Sequence, residues 1–361
     1  MKICNISELH GIDKNVMEYM QKKTHEKVVF CSDNETQLKA IIAIHNTNLG
    51  PALGGTRMWN YESISEATMD VLRLSRGMTY KASITGLNLG GGKAVIIGNS
   101  KNKTPEMMKS FGKFVESLNG KYITAEDVGM TTEDMEIIHK ETDHVVGKPI
   151  KLGGSGDPSP FTAFGVLMGM KASAFYKWGS ESLGGKKILV QGAGNVGRNL
   201  IELLSKEGAS ILVNEINKDK LSGVTQKFNV KVIEDDFFNC DMDIYAPCAL
   251  GGTLNENTIP KLKCKIVAGG ANNQLAKEYI HDDLLIEHDI LYAPDFLINA
   301  GGLINVYSEL KGYSKEKVIK KTKTIFDTTL EIFKKAHNEK ISTQKAALKI
   351  AKNKIHKSLS S

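Results

Sequence analysis

Apolar positions in this chain gather in short runs separated by polar and glycine-rich stretches, and the two halves of the chain do so differently. In the first half, Leu38-Lys39-Ala40-Ile41-Ile42-Ala43-Ile44 and Ala94-Val95-Ile96-Ile97 read as strands, with Lys121-Tyr122-Ile123-Thr124 a further short one. Between the first two, Ala67, Val71, Leu74 and Met78 recur at helical spacing, which predicts the buried face of a helix ending at Lys81. Glycines at Gly54-Gly55 and Gly90-Gly91-Gly92 are expected beside the ends of these elements. Gly153-Gly154-Ser155-Gly156-Asp157-Pro158 breaks any regular element and marks a boundary.

Beyond it the pattern becomes an alternation. A helix over Thr162 to Lys177 precedes the strand Lys187-Ile188-Leu189-Val190, the helix Arg198 to Lys206 and the strand Ser210-Ile211-Leu212-Val213. Later strands are expected at Met242 to Tyr245, Ile266 to Ala268 and Ile290 to Tyr292, then a long helix from Lys315 to about His337 and a closing helix. Strands alternating with helices imply an α/β fold with a parallel, doubly wound sheet.

Length and composition refine this picture. A chain of 361 residues exceeds one typical domain, and 41% hydrophobic with 24% charged residues is ordinary for globular proteins. No apolar run approaches the roughly 20 residues of a membrane-spanning helix. The start, Met1-Lys2-Ile3-Cys4-Asn5, lacks the shape of a secretion signal. Five cysteines (Cys4, Cys31, Cys240, Cys248, Cys264), an odd number without a Cys-x-x-Cys pair, argue against a disulfide framework or zinc knuckle and for a reducing cytoplasm. No metal cluster is expected, and His45, His139 and His144 read as ordinary surface or core histidines. The net charge of +6 owes much to lysines between Lys311 and Lys323 and between Lys345 and Lys357, which alternate with apolar residues as on a solvated helix face. With no zinc finger and no aromatic RNA-binding motif, a nucleic-acid or membrane-surface binder is the weakest of the functional classes considered.

Two groups of residues carry candidate chemistry. The first is Gly192-Ala193-Gly194-Asn195-Val196-Gly197, which follows a strand and opens a helix, with Glu215 ending the next strand 18 positions beyond Gly197. Gly192 permits a tight turn, Gly194 lets backbone approach a pyrophosphate, Gly197 allows close helix–strand contact, and the amides at the helix start face the phosphates. Glu215 would bind the adenosine ribose and repel a 2′-phosphate, favouring NAD, although Lys218 and Lys220 nearby leave room for a relaxed preference. The second group is Lys81, Lys93 and Asp127. Taken singly, two lysines and an Asp after a strand read as a solvated surface and a turn or cap.

Longer words change that reading. Gly50-Pro51-Ala52-Leu53-Gly54-Gly55-Thr56-Arg57-Met58, Gly77 to Lys81 and Gly90-Gly91-Gly92-Lys93-Ala94 resemble the signature of the Glu/Leu/Phe/Val amino-acid dehydrogenase family. So do Ala246 to Gly252 and Ala293 to Gly302, and together the words are most similar to those of the leucine members. The resemblance runs from about residue 10 to about residue 355. It implies an N-terminal α/β substrate and oligomerisation domain over 1–145, with a C-terminal helix at about 330–361 returning to it. A Rossmann-type NAD-binding domain would span 146–329, with a cleft between the domains and a homo-oligomer, an octamer in leucine members. It further implies that Lys81 holds the substrate carboxylate with backbone amides near Gly54 and Gly55, that Lys93 is the catalytic lysine and Asp127 its acidic partner. Thr162 and Asn273 match residues that orient the nicotinamide amide.

Hydride leaves the α-carbon only after the amino group loses its proton, and water must then attack the iminium, so a base is needed at each proton step. A lysine of ordinary pKa, about 10.4, is protonated at neutral pH; a neighbouring cation such as Lys81 and partial desolvation are expected to lower that of Lys93. The position that is lysine in glutamate members is Leu53, which cannot pair a γ-carboxylate. Ala125, Leu303 and Val306 complete an apolar pocket by the same resemblance. Leu303 stands where leucine members typically carry Val. One methylene is worth only ~1–3 kcal/mol, so the expected reaction is NAD-dependent deamination of Leu, Ile and Val. The alternatives are a phenylalanine, valine or tryptophan dehydrogenase, or a non-catalytic NAD-binding regulatory homologue.

Overall fold

The computed structural model of the protein describes residues 14–357; Cys4 and the N-terminal reading above lie outside them. The chain divides into two compact units. The first takes the residues up to Asp157, Glu309–Tyr313 and the residues from Lys354; the second takes Pro158–Ser308 and Ser314–Asn353.

The first unit is built on a five-stranded sheet of β1 (Lys27–Asp33), β2 (Leu38–Asn46), β3 (Ala52–Trp59), β4 (Gly90–Ile97) and β5 (Tyr122–Glu126), in the order β1-β2-β4-β3-β5. β2 runs antiparallel to β1 and β4, while β3 runs parallel to both β4 and β5. Four helices accompany it: α1 (Lys14–Lys23), α2 (Ile64–Ile84), α3 (Pro105–Glu116) and α4 (Thr132–His139). β2 is apolar nearly throughout because both its faces are covered. Ala40, Ile42 and Ile44 join Met108, Phe111, Met135 and Ile138 of α3 and α4 on one side, and Ile41 and Ala43 join Val16, Ala67, Val71 and Leu72 of α1 and α2 on the other. The helices begin on side-chain caps: the Glu66 amide donates to Ser63 Oγ, and the Met107 amide to Thr104 Oγ1.

Three expectations are corrected here. The glycine runs lie inside β3 and β4 rather than beside their ends, so Lys93 is the fourth residue of a strand. α2 continues to Ile84, past Lys81. Its buried stripe runs through Ala67, Thr68, Val71, Leu72, Ser75 and Thr79, leaving Leu74 and Met78 half-buried. The reason is proximity: a Cβ on Gly91 would lie 2.1 Å from the Thr79 amide nitrogen. At such a distance only small side chains fit between helix and strand, and a search for apolar periodicity passes over them.

The first unit closes on residues distant in sequence. Glu309 Oε1 accepts from the amides of Gly147 (3.0 Å) and Ser155 (2.8 Å) and from the Ser155 hydroxyl. Lys354 Nζ donates to the Ile84 carbonyl at 2.9 Å.

The second unit holds a parallel six-stranded sheet of β6 (Lys187–Gln191), β7 (Ser210–Asn214), β8 (Val230–Val232), β9 (Ile244–Pro247), β10 (Ile266–Val267) and β11 (Leu291–Tyr292). Its order, β11-β10-β9-β6-β7-β8, is that of a doubly wound dinucleotide fold. β8 was not expected, and β9 sits two residues beyond the expected start. The helices are α5 (Ser159–Trp178), α6 (Asn195–Lys206), α7 (Lys218–Thr225), α8 (Glu278–Glu287), α9 (Asp295–Ile298), α10 (Gly301–Glu309), α11 (Lys315–Glu339) and α12 (Thr343–Lys357).

Asp282 on α8 is only 1% exposed. Burial pushes its carboxyl up to about 6, against a hydrogen bond from the Ser342 side chain. A carboxyl raised above its unfolded value of about 3.9 binds its proton more firmly when folded, so stability falls as pH rises through that range and stays lower above it. Asp282→Asn is therefore expected to stabilise the protein by about 3 kcal/mol at pH 8 and by little at pH 4. Thermal melts at the two pH values check this, and an equal gain at both would rule out ionisation as the cause.

Candidate active site

β4, β3 and β5 lie side by side and parallel, and the site is assembled where the glycines of β3 approach β4 and the end of β5. A Cβ on Gly54 would lie 1.7 Å from the Gly92 carbonyl oxygen, and one on Gly55 would lie 2.5 Å from the Glu126 carbonyl oxygen and 3.0 Å from Asp127 Cβ. Backbone therefore sits where side chains would otherwise be. Tyr122, fully buried, donates its hydroxyl to the Gly54 carbonyl at 2.6 Å and braces this approach.

Lys93, 5% exposed, points its Nζ to within 2.9 Å of Asp127 Oδ2 just beyond β5. The same oxygen accepts from Arg57 Nε at 3.1 Å. Arg57 Nη1 donates to Asp70 Oδ2 at 3.1 Å, and Asp70 also accepts from the Tyr61 hydroxyl (2.8 Å) and Arg73 Nη2 (3.2 Å). Burial opposes the charge on Asp127, but the Lys93 ammonium and the Arg57 guanidinium outweigh it and hold the carboxyl at about 2. A half-buried carboxylate, acceptor-only at any working pH, thus stands against a buried amine.

The structure brings Lys93, Asp127, Gly54 and Gly55 into one cluster. Leu53 and Ala125 flank it, both buried: Leu53 pairs in register with Gly91 and Ile123, and Ala125 with Gly55. Lys81 lies half-buried in the last turns of α2, two residues beyond the point where Thr79 touches Gly91, and its carbonyl accepts from Thr85 Oγ1 at 2.7 Å. Leu303 and Val306 are buried on α10 in the second unit.

The glycine-rich turn of the second unit follows β6. Gly192 has a φ of +96°, which favours glycine, and its amide donates to the Asn214 carbonyl at 2.7 Å. A Cβ on Gly197 would lie 1.9 Å from the Gly192 carbonyl oxygen, so Gly197 lets the turn fold on itself rather than chiefly admitting a strand. Gly194, at the N-cap of α6, faces open space, and no side chain caps the helix that Asn195 and Val196 begin. Glu215 just past β7 accepts from the amides of Ala193 (2.7 Å) and Asn217 (2.8 Å), holding the turn. Thr162 Oγ1 donates to the Pro158 carbonyl at 3.1 Å in the first turns of α5. Asn273 is exposed with a φ of +53°, and its carbonyl accepts from the Gly252 amide at 2.8 Å.

Arg57 and Asp70 were not singled out from the sequence. The available signal was strand alternation: once Ala52–Trp59 is read as a strand, Arg57 shares the face of Gly55, two positions before it.

Known proteins resemble the chain along nearly its whole length. The dimerisation domain of Glu/Leu/Phe/Val dehydrogenases matches residues 21–144, and the glutamate/leucine/phenylalanine/valine dehydrogenase domain matches residues 153–214 and 212–360. The leucine dehydrogenase of Bacillus subtilis is 55% identical over 274 residues, 75% of each chain. That of Bacillus cereus is 51% identical over 342 residues, 94% of this chain and 93% of the relative. The crystal structure of L-tryptophan dehydrogenase from Nostoc punctiforme superposes with a TM-score of 0.83 at 45% identity, covering 96% of this chain and all of that one. By these matches, over nearly its whole length, the chain belongs to the Glu/Leu/Phe/Val dehydrogenase family.

Proposed function

We propose that the protein catalyses the NAD-dependent, reversible oxidative deamination of branched-chain L-amino acids to 2-oxo acids and ammonium. The observation that carries the reading is the ion pair between buried Lys93 and half-buried Asp127, where the glycines of β3 and β4 bring backbone close. The similarity to leucine dehydrogenases supports the substrate class.

The turn from Gly192 to Gly197 fits a dinucleotide. Gly194 leaves open space where backbone would approach a pyrophosphate, the start of α6 carries no side-chain cap, and Glu215 retains lone pairs for a ribose. Thr162 and Asn273 would hold the nicotinamide amide. NAD, when bound, supplies the hydride acceptor. The remaining work belongs to this chain's side chains. Lys81 and the Gly54-Gly55 amides would bind the substrate carboxylate. The substrate ammonium, arriving beside Asp127, replaces Lys93 as the counter-ion of the carboxylate. Lys93 can then lose its proton to solvent and take one from the substrate ammonium; once it has passed that proton to solvent it can take another from the water that attacks the imine.

Leu53 offers no charge to a γ-carboxylate, and burying one against it would cost several kcal/mol. The test is kcat/KM for Leu, Ile, Val, Phe, Trp and Glu with NAD and NADP. Leu, Ile and Val are expected within roughly 200-fold of one another, the reach of one methylene, with Glu far below. A glutamate preference would overturn the argument from Leu53. An aromatic preference is the second reading, favoured by the likeness to a tryptophan dehydrogenase. The family's dimerisation domain supports a homo-oligomer, for which we propose the octamer of leucine members. No helix among the described residues is long and apolar enough to cross a membrane, and a cytoplasmic location is proposed on the four cysteines that are free among the described residues.

A further inference from the structure

We propose that Arg57 is a positioning residue for the reaction: anchored by Asp70, it keeps Asp127 ionised and in place while Lys93 gives up and regains its proton. The inference rests on the reading of Lys93 as the base. Both cations meet one oxygen, Asp127 Oδ2, Lys93 at 2.9 Å and Arg57 at 3.1 Å. Their charges differ in permanence. A lysine acting as base is neutral for part of each cycle, whereas a guanidinium keeps its proton throughout.

Without Arg57, whenever Lys93 is neutral and the substrate nitrogen uncharged, Asp127 would be a half-buried carboxylate with neither of its two bonded cations. Such a group takes up a proton. The proton that Lys93 must pass to solvent or substrate would then rest on Asp127, and no anion would remain beside the cationic substrate nitrogen. The other titratable neighbours cannot substitute. Burial pushes the Glu126 carboxyl and the Tyr122 hydroxyl up, toward their neutral forms, and neither is a cation in any state.

The second half of the device is Asp70. The guanidinium spends Nε on Asp127 and Nη1 on Asp70, two edges of one planar group, so its orientation is set by two carboxylates at once. Asp70 is in turn held by the Tyr61 hydroxyl and by Arg73. A lysine could supply the charge but not the two-ended bridge.

The experiment compares wild type with Arg57→Gln, Arg57→Lys and Asp70→Asn as full chains, measuring kcat and KM for leucine across pH, NADH binding and thermal stability. Arg57→Gln is expected to lower kcat about 100-fold, the loss typical of a misplaced catalytic group. It should also move the acid limb of the pH profile upward, because with one cation gone both the base Lys93 and the Asp127 carboxyl hold their protons to higher pH. Arg57→Lys should leave that limb nearer the wild type while lowering kcat. Asp70→Asn should lower kcat without moving the limb upward, since the cation remains and only its anchor is lost. A purely structural role would lower the melting temperature and leave the limb in place. An unmoved acid limb in Arg57→Gln, or, if that variant does not fold, wild-type kcat in both Arg57→Lys and Asp70→Asn, overturns the proposal. A wild-type chain that oxidises no amino acid overturns the reading of the base as well; an active wild type with unaffected Arg57 variants overturns this proposal alone.

Discussion

Replacing Lys93 by alanine is expected to lower kcat for leucine oxidation by roughly 10²–10⁴-fold, the range for removing a positioned acid–base group. NADH binding, followed by fluorescence titration, should stay as in the wild type, because the glycine-rich turn and Glu215 belong to the other compact unit. The variant is a fair test because its fold should survive. Asp127 keeps the Arg57 guanidinium at 3.1 Å, so the half-buried carboxylate is not stranded when the amine goes. Removing Asp127 instead would leave Lys93, only 7% exposed at its side chain, without an anion. Breaking a buried pair from that side typically costs about 3–5 kcal/mol, which would confuse lost chemistry with lost stability. Near-normal turnover by Lys93→Ala would remove this residue from the proton transfers.

Gly54→Ala is expected to destabilise the protein by more than the about 1–3 kcal/mol usual for an overpacked core. The added carbon would lie 1.7 Å from the carbonyl oxygen of Gly92 and 3.4 Å from Lys93 Cα. Its nearest neighbour is main chain in a central strand, so no side-chain rotation relieves the clash, and β3 and β4 must separate at the residue before Lys93. Tyr122, whose hydroxyl is bonded to the Gly54 carbonyl, resists that movement from beneath. Gly77→Ala in α2 is the control: a carbon there meets nothing within 4 Å, and alanine in a helix is favoured by about 0.5–1 kcal/mol over glycine. Chemical denaturation of both variants decides the matter. Equal midpoints would mean that the strands accommodate a side chain at Gly54.

The two units were not equally legible in the sequence. In the second, every strand but β8 is a short apolar run and the turn after β6 carries glycines at fixed offsets, so local pattern and global topology agree. β8, three residues with a lysine at its centre, gave no such run. In the first unit the pattern misled, because its central strands approach each other and α2 too closely for large side chains. β3 contains two glycines and an arginine, and the face of α2 against β4 carries serine and threonine. The reaction roles of Lys81, Lys93 and Asp127 came from resemblance to a family, since spacing alone left them as surface groups. The union of Lys93 and Asp127 with Arg57 depends on strand adjacency, which no single segment encodes.

The three stretches that form the first unit also impose an order on its birth at the ribosome. Residues up to Asp157 emerge well before Glu309, which satisfies the amides of Gly147 and Ser155, and before Lys354, which satisfies the carbonyl of Ile84. The nascent N-terminal portion therefore waits, with these main-chain groups solvated, while nearly the whole of the second unit is translated. The strand that bears Lys93 and the one that leads to Asp127 are made early, but the contact of Lys354 with Ile84 forms only with the last turn of α12.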